Sequence, residues 1–296
     1  MKERLLDYLC CPKCKADLKM EIQETKQEQI KTGKLICSKC QQEYEIRDGI
    51  PIMLDKQSRI LLQQSSKPSM QIGLFKQRIS KILRKMHSLE PYSINSLYQR
   101  VEKFLNYFDY GAKTCDLGCG YRRFDQRIVN LDIALSEYVD IVGDAHILPF
   151  ADETFDGIIC TSVLEHVWNP VKVVNEIYRI LKKGGKIYIE VPFLYPYHPV
   201  TGTDMDYQRY TEAGLLNLFK DFKPLELGVS GGPNVALIVF LRQYFSELFN
   251  FWHNHDAPRE IISIITGWIL LPLKYLDPLL IKRKSIASIF YFVGEK

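Results

Sequence analysis

The chain has 296 residues, 46% of them hydrophobic and 25% charged, with a formal net charge of +4 and eight cysteines. This is globular composition, long enough for one large domain with a small one beside it, and it excludes disordered and collagen-like chains. The charge is uneven: residues 58–110 carry nine basic against three acidic side chains, whereas residues 111–230 carry twelve against seventeen. A basic surface is therefore expected in one connector only, and a general nucleic-acid groove is not.

The N-terminal MKERLLDYLCCPKC lacks the apolar core and small-residue cleavage site of a secretory signal, which predicts a cytoplasmic chain. In a reducing compartment its cysteines are metal ligands or buried thiols. Cys11-Pro-Lys-Cys14 and Cys37-Ser-Lys-Cys40 form two C-x-x-C pairs 22 residues apart. Two such knuckles complete the tetrahedral sulfur set that zinc prefers and leave no position open, so this zinc is structural. Cys10 does not make the spacing with Cys14. Residues 41–54 alternate around Tyr44 and Ile46, turn at Asp48-Gly49 and continue as an apolar strand to Leu54. The pattern CPKC, CSKC and DGIP over residues 5–55 resembles the Trm112-like zinc ribbons, some of which are free-standing partners of methyltransferases. That resemblance implies a zinc ribbon over residues 1–56 and a methyltransferase beside it.

Residues 57–110 read as a basic linker followed by helices. The linker 55–73 is rich in Ser, Gln and Lys. LFKQRISKILRKM at 74–86 is a basic amphipathic helix suited either to an anionic membrane or to a solvated face. A second helix over 92–109 places Leu97, Val101, Leu105 and Phe108 on one side and is expected to cover the edge of the following sheet.

From residue 111 onward the pattern alternates. Strands are expected at 113–117, 127–133, 139–142, 155–160 and 186–191, with a helix at 170–181, another at 212–220 and a closing strand at 288–293. Such a sheet places ligands at the carboxyl ends of its strands. Gly118 and Gly120 allow a sharp turn and a close ligand approach, but Arg123 stands where a dinucleotide fold needs its third glycine. Asp132 ends the second strand, twelve residues after Gly120, and Gly143-Asp144-Ala145 ends the third.

DLGCG, NLDI, GDAHILPFADETFDGIICTSVLEHVWNP and EIYRILKKGGKIYIEVPF together resemble the class I S-adenosylmethionine-dependent methyltransferases of the type-11 group, over residues 110–230. The resemblance implies a Rossmann-like α/β fold with a mixed, mostly parallel seven-stranded sheet over residues 111–296. It places Asp116, Gly118 and Gly120 beside the methionine moiety of the cofactor, Asp132 on the ribose, and Asp144 with Ala145 at the adenine. His166 matches the LEHV segment of the cofactor wall, and a core histidine satisfied by backbone is the alternative. The interval between Gly120 and Asp132 is too short for the full first helix of most relatives, which brings Tyr121, Arg122 and Arg123 toward the cofactor or substrate mouth.

YPYHPVTGTDMDYQRYT at 195–211 is dense in polar and aromatic groups for a connector. His198 is the candidate general base for an alcohol acceptor, with Asp206 as its orienter or an alternative base. The competing reading is that Asp206, Arg209 and Tyr210 tie the loop to the next helix. A similar H…DYxRYT arrangement occurs in bacterial methyltransferases encoded among surface-glycan enzymes. Residues 234–284 are expected to be a hydrophobic helical insertion before the final strand, either an internal lid or a cap resting on a membrane; the uncharged run 261–273 is shorter than the ~20 residues of a bilayer span.

The function these readings favour is methyl transfer to a small or lipid-linked acceptor, a hydroxyl of a surface-glycan intermediate being one, with peripheral contact at the inner membrane surface. Two alternatives stand: an rRNA or tRNA methyltransferase, since bacterial rRNA guanine methyltransferases also join a zinc module to this fold, and a non-catalytic zinc-ribbon adaptor. The acidic larger unit argues against RNA.

Overall fold

The computed structural model describes residues 3–26, 29–55, 94–198, 205–253, 256–280 and 283–296. The linker and the basic stretch at 74–86 lie outside the described residues.

The N-terminal unit is a four-stranded antiparallel sheet in the order β1 (Leu18–Lys26), β2 (Gln29–Cys37), β3 (Glu43–Arg47) and β4 (Ile50–Pro51). In β3 every second side chain is buried, Tyr44 and Ile46, as a one-sided sheet requires. The hairpin of β1 and β2, between the two cysteine pairs, was not among the expected elements. Its register shifts at Ile22–Thr25 interrupt the period-2 pattern that announces a strand.

The larger sheet has seven strands in the order β10-β11-β9-β8-β5-β6-β7. These are β5 (Thr114–Leu117), β6 (Val129–Asp132), β7 (Ile141–Val142), β8 (Phe155–Thr161), β9 (Leu181–Pro192), β10 (Lys223–Gly231) and β11 (Ile289–Glu295). Strands β5 to β9 run parallel, and β11 lies antiparallel between β9 and β10. β8 at the centre is nearly all buried, and β5 beside it is buried throughout, as expected of strands covered on both faces. β10 was not anticipated: Pro224, Gly228 and Gly231 disguise it, and its pairing with β11 shifts register twice.

Helix α1 (Ile94–Leu105) corrects one expectation. Its Leu97, Val101 and Phe104 pack with Ile128, Ile159, Tyr188 and Val293, so it covers a face of the sheet rather than its edge. Arg100 Nε fixes it to the buried Glu190 carboxylate at 2.9 Å. Helix α2 (Pro170–Ile180) is capped by Asn169, whose side chain accepts the Lys172 N–H, and Pro170 occupies the first turn where no N–H is needed. Helix α3 (Glu212–Leu218) is capped in the same way by Thr211.

The two sheets share one hydrophobic core, in which Leu35, Tyr44, Ile46 and Met53 join Leu131, Ile141, Leu148 and Phe150. The chain leaving β4 bridges Ile52 to Val142 in parallel, and the Met53 N–H donates to the Val142 carbonyl at 2.8 Å, so it extends the sheet past β7. On the opposite flank the Cys10 N–H donates to the Pro149 carbonyl at 2.9 Å, and Lys15 Nζ reaches Glu176 at 2.9 Å. Leu54 packs with Cys119 and Val142, which carries the contact to the glycine turn.

Between β10 and β11 stand α4 (Pro233–His253), α5 (Asp256–Leu270), a 3-10 turn (Leu271–Leu276) and α6 (Asp277–Leu280). Val235, Ile238, Val239 and Ile264 are buried, and the Asn234 N–H donates to Asp277 at 2.7 Å. The opposite side exposes Leu237, Phe240, Ile265, Trp268, Ile269, Tyr275 and Leu279.

Candidate active site

The sulfur set is a compact tetrahedron. Cys11 and Cys40 sulfurs are 3.7 Å apart, Cys14 and Cys37 sulfurs 3.4 Å, and all four lie within 4.8 Å of one another. Four sulfurs about 2.3 Å from one centre are separated by about 3.8 Å, so the set fits zinc. The Cys40 N–H points at the Cys37 sulfur, and the Tyr44 hydroxyl lies 3.3 Å from that of Cys11. Cys10 stays outside the set, and its buried thiol is pushed up to about 11. Zinc here would hold the knuckles together; with four sulfurs it has no position for substrate.

At the carboxyl end of β5, Gly118 and Gly120 both have positive φ, at 74° and 57°. A Cβ on Gly118 would lie 2.2 Å from Val163, so this position accepts only glycine. The Gly120 N–H donates to Asp132 Oδ2 at 2.8 Å and the Ala134 N–H to Asp132 Oδ1 at 2.8 Å. A carboxylate has about four acceptor sites, so each Asp132 oxygen retains one for a ligand hydroxyl.

No helix follows the glycines within residues 118–128. Two arginines fill that space. Arg123 binds the carbonyls of Ile128 and Tyr138 and the Asp140 carboxylate, so it braces the turn and does not line a mouth. Arg122 bonds to Thr161 and to the Gly118 carbonyl, and its Nε lies 3.9 Å from Asp116. Tyr121 alone of the three is exposed. Asp116 is fully buried, with neither oxygen hydrogen-bonded among the described residues. Burial pushes its carboxyl up to about 7, against the pull of Arg122.

Asp144 caps a short 3-10 turn that begins at Ala145 and accepts both the His146 N–H at 2.8 Å and His146 Nδ1 at 2.7 Å. His146 stacks on the exposed Trp168 at 5.0 Å. Asp132 and Asp144 thus stand at the carboxyl ends of β6 and β7, neighbouring strands, on the same side as the glycine turn.

A second polar cluster gathers beyond β8. His166 is buried, and its Nδ1 donates to the Met205 carbonyl at 2.8 Å. His198 lies against it, ring centroids 5.0 Å apart. The Asp206 side chain is buried; it accepts the His198 N–H at 2.8 Å and an N–H from each terminal nitrogen of Arg209. Burial alone would raise the Asp206 carboxyl, but Arg209 and the His198 N–H outweigh it and hold it below its ordinary value. Asp206 thus holds His198 at its backbone N–H and lies 3.2 Å from its Nδ1. Burial works against a charged His198 ring, yet Glu165, the Pro196 carbonyl and Asp206 overcome it and hold the ring above the ordinary histidine value. Arg209 and Tyr210 also tie the loop down, Tyr210 through its hydroxyl to the Leu164 carbonyl at 2.8 Å.

Glu165 was missed as a site residue. It is fully buried, and its Oε1 lies 3.9 Å from His166 Nε2 and 3.8 Å from His198 Nε2. The only sequence signal was its place in the LEH triplet after β8.

A glycine turn, two strand-end carboxylates and a polar cluster at one end of a mostly parallel sheet define a nucleoside-binding α/β protein. Residues 115–189 match the family model described as a methyltransferase domain, and residues 2–49 the model of the Trm112p-like proteins. A UPF0434 protein of Hahella chejuensis is 44% identical over 61 residues, 21% of this chain and 88% of that protein. A demethylmenaquinone methyltransferase of Paenarthrobacter aurescens is 30% identical over 128 residues, 43% of this chain and 44% of the enzyme. Coclaurine N-methyltransferase, solved with N-methylheliamine and S-adenosylhomocysteine, is 14% identical with a TM-score of 0.43, covering 81% of this chain and 93% of that one. The chain spans less than half the length of the demethylmenaquinone methyltransferase and of a Methanocaldococcus jannaschii protein that it matches, 44% of each. Residues 115–189 are thus a methyltransferase domain of the type-11 group, and residues 2–49 ahead of it a Trm112p-like domain.

Proposed function

We propose that the protein transfers a methyl group from S-adenosylmethionine to a hydroxyl of a small acceptor carried on a lipid at a membrane surface. The observation that carries the lipid reading is the exposed apolar side of the helical insertion, where Ile269, Tyr275 and Leu279 are each more than 70% exposed. Large exposed apolar surfaces of this kind mark interaction or membrane sites. Ile261–Leu280 is long and apolar enough to cross a bilayer and only 11% buried. It is broken at Pro272 into a 3-10 turn and carries Lys274 and Asp277, which suits lying in the interface rather than spanning. The insertion returns beside the acceptor loop, where the Phe193 N–H donates to the Ser288 carbonyl at 2.8 Å.

In this reading Asp132 receives the ribose hydroxyls, Asp144 and Ala145 border the adenine, and Gly118 and Gly120 admit the methionine moiety over Asp116. His166 forms the wall between cofactor and acceptor. The cofactor, when bound, supplies a methyl carbon already activated by its sulfonium. The chain therefore needs mainly to align the acceptor and exclude water. His198 faces the acceptor in the place of a general base, oriented by Asp206.

The test is incubation of the full chain with methyl-labelled S-adenosylmethionine and either membrane lipids, aqueous metabolites or RNA. Alkali-stable label in the lipid phase is expected. Label confined to RNA or to the aqueous fraction would overturn the lipid-linked acceptor.

A further inference from the structure

The Glu165, His166 and His198 cluster has a geometry that hydrogen bonding alone leaves unexplained. One ligand atom from each lies within 4.8 Å of the others, on side chains that are fully buried, nearly buried and 31% exposed respectively. Both Glu165 oxygens and His166 Nε2 are buried without a hydrogen-bond partner among the described residues. Buried polar groups are otherwise paired, and an orphaned carboxylate facing two imidazoles calls for a ligand between them.

The outer partners of the two rings settle their tautomers. The Met205 carbonyl can only accept, so the 2.8 Å contact puts a hydrogen on His166 Nδ1 and leaves Nε2 as a lone pair. His198 Nδ1 lies 3.0 Å from the Pro196 carbonyl and 3.2 Å from Asp206 Oδ2, both acceptors. Arg209 Nη2 is also near, but its two hydrogens are taken by Asp206 and Pro196. In their neutral forms both rings therefore turn a free Nε2 toward Glu165, each with a carbonyl or carboxylate on Nδ1. Metal-binding histidines are held in this way, and two histidines with one carboxylate leave positions open for substrate.

We propose that Glu165, His166 and His198 bind a divalent first-row cation at the acceptor side of the methyl-transfer site, with Asp206 positioning His198. The Nε2 to Oε1 separations of 3.9 and 3.8 Å exceed the ~3 Å between neighbouring ligands at about 2.1 Å from a metal. Closing the site needs about 1 Å of movement, which the half-buried His198 on its loop supplies. The cluster adjoins the glycine turn, because Val163 packs against Gly118 and Arg122 bonds to Thr161.

This deepens the proposed function and rests on it. An acceptor hydroxyl coordinated at the open positions gives up its proton to solvent. Its oxygen lone pair then forms the bond to the methyl carbon as the carbon–sulfur bond breaks, and that electron pair stays on sulfur as a thioether. The cation changes no oxidation state; with it bound His198 is a ligand, and the base role proposed above applies only to the cation-free chain.

The test is Mn2+ titration of the zinc-loaded full chain, followed by electron paramagnetic resonance, with S-adenosylmethionine binding measured on the same samples. Mn2+ favours nitrogen and oxygen ligands over the thiolates of the ribbon. One Mn2+ per chain is expected, with zinc content unchanged. Its affinity should fall at least tenfold in Glu165→Gln and in His198→Gln, and by about tenfold in Asp206→Asn, as second-shell changes do. His198→Gln alters a half-exposed loop residue, so retained cofactor binding certifies its fold. Absence of a saturable Mn2+ site in the wild type, or equal affinity in cofactor-binding His198→Gln, would overturn the cation site. Either result would leave the methyltransferase reading intact if the cofactor still binds.

Discussion

Asp132 performs two tasks with one carboxylate. It fixes the glycine turn through the Gly120 and Ala134 N–H groups, and in the proposed reading its remaining acceptor capacity takes the ribose hydroxyls. Asp132→Ala should weaken cofactor binding by about 1.5–3 kcal/mol, tenfold or more, read by calorimetry. Asp116 makes a pH-dependent contribution. Its folded carboxyl, raised to about 7 by burial, holds a proton that the unfolded chain releases near the ordinary 3.8. Its stabilising contribution is full below about pH 4, falls as pH rises toward 7 and is then constant, a loss of at most about 4 kcal/mol. Asp116→Asn should remove that loss, so the thermal midpoint of the free variant should drop less than that of the parent between pH 5 and 8. Equal drops would refute the assignment. Asp132 was legible as the end of a strand pattern, whereas Asp116, inside its strand, stood out only through the DLGCG resemblance. Glu165 was not legible, because its partner His198 lies far along the chain and only the tertiary fold brings the two together.

The zinc ribbon, read as an element, is more than an appendage. Its last residues continue the large sheet beyond β7, and Leu54 packs on Cys119 inside the glycine turn. Cys37→Ser should therefore lose zinc and lower the thermal midpoint of the whole chain, since metal binding free energy in such sites is folding free energy. Metal analysis and calorimetry check both; unchanged zinc would refute the four-sulfur site. The cysteine spacing announced the metal without any structure, because C-x-x-C geometry is local. The placement of α1 was not local: its apolar stripe fixed which side is buried, but the sheet face it meets depends on Ile128, Tyr188 and Val293 from separate elements. β10 was hidden for the opposite reason, since its proline and glycines oppose a strand and pairing with β11 overrides them.

In the whole molecule the glycine turn, the His198 loop and the apolar insertion all lie at the carboxyl end of the parallel strands. The hydrophobic run announced the insertion, but the sequence left open whether it was a lid or a membrane cap, because exposure depends on which side α4 and α5 bury against each other. Replacing Trp268 and Ile269 with Asp should reduce sedimentation with anionic liposomes several-fold without changing cofactor affinity. Each buried apolar side chain contributes about 1.5–3 kcal/mol, and both residues lie outside the glycine turn. Indifference of the parent protein to liposomes would make the insertion a surface for something other than lipid. The central claim is that the glycine turn and the two strand-end carboxylates hold S-adenosylmethionine, and calorimetric titration of the zinc-loaded full chain with S-adenosylhomocysteine tests it most directly. Saturable binding of one ligand per chain, weakened at least tenfold in Asp132→Ala, is the predicted result. No saturable heat from a protein with intact zinc content and a cooperative thermal transition would contradict it.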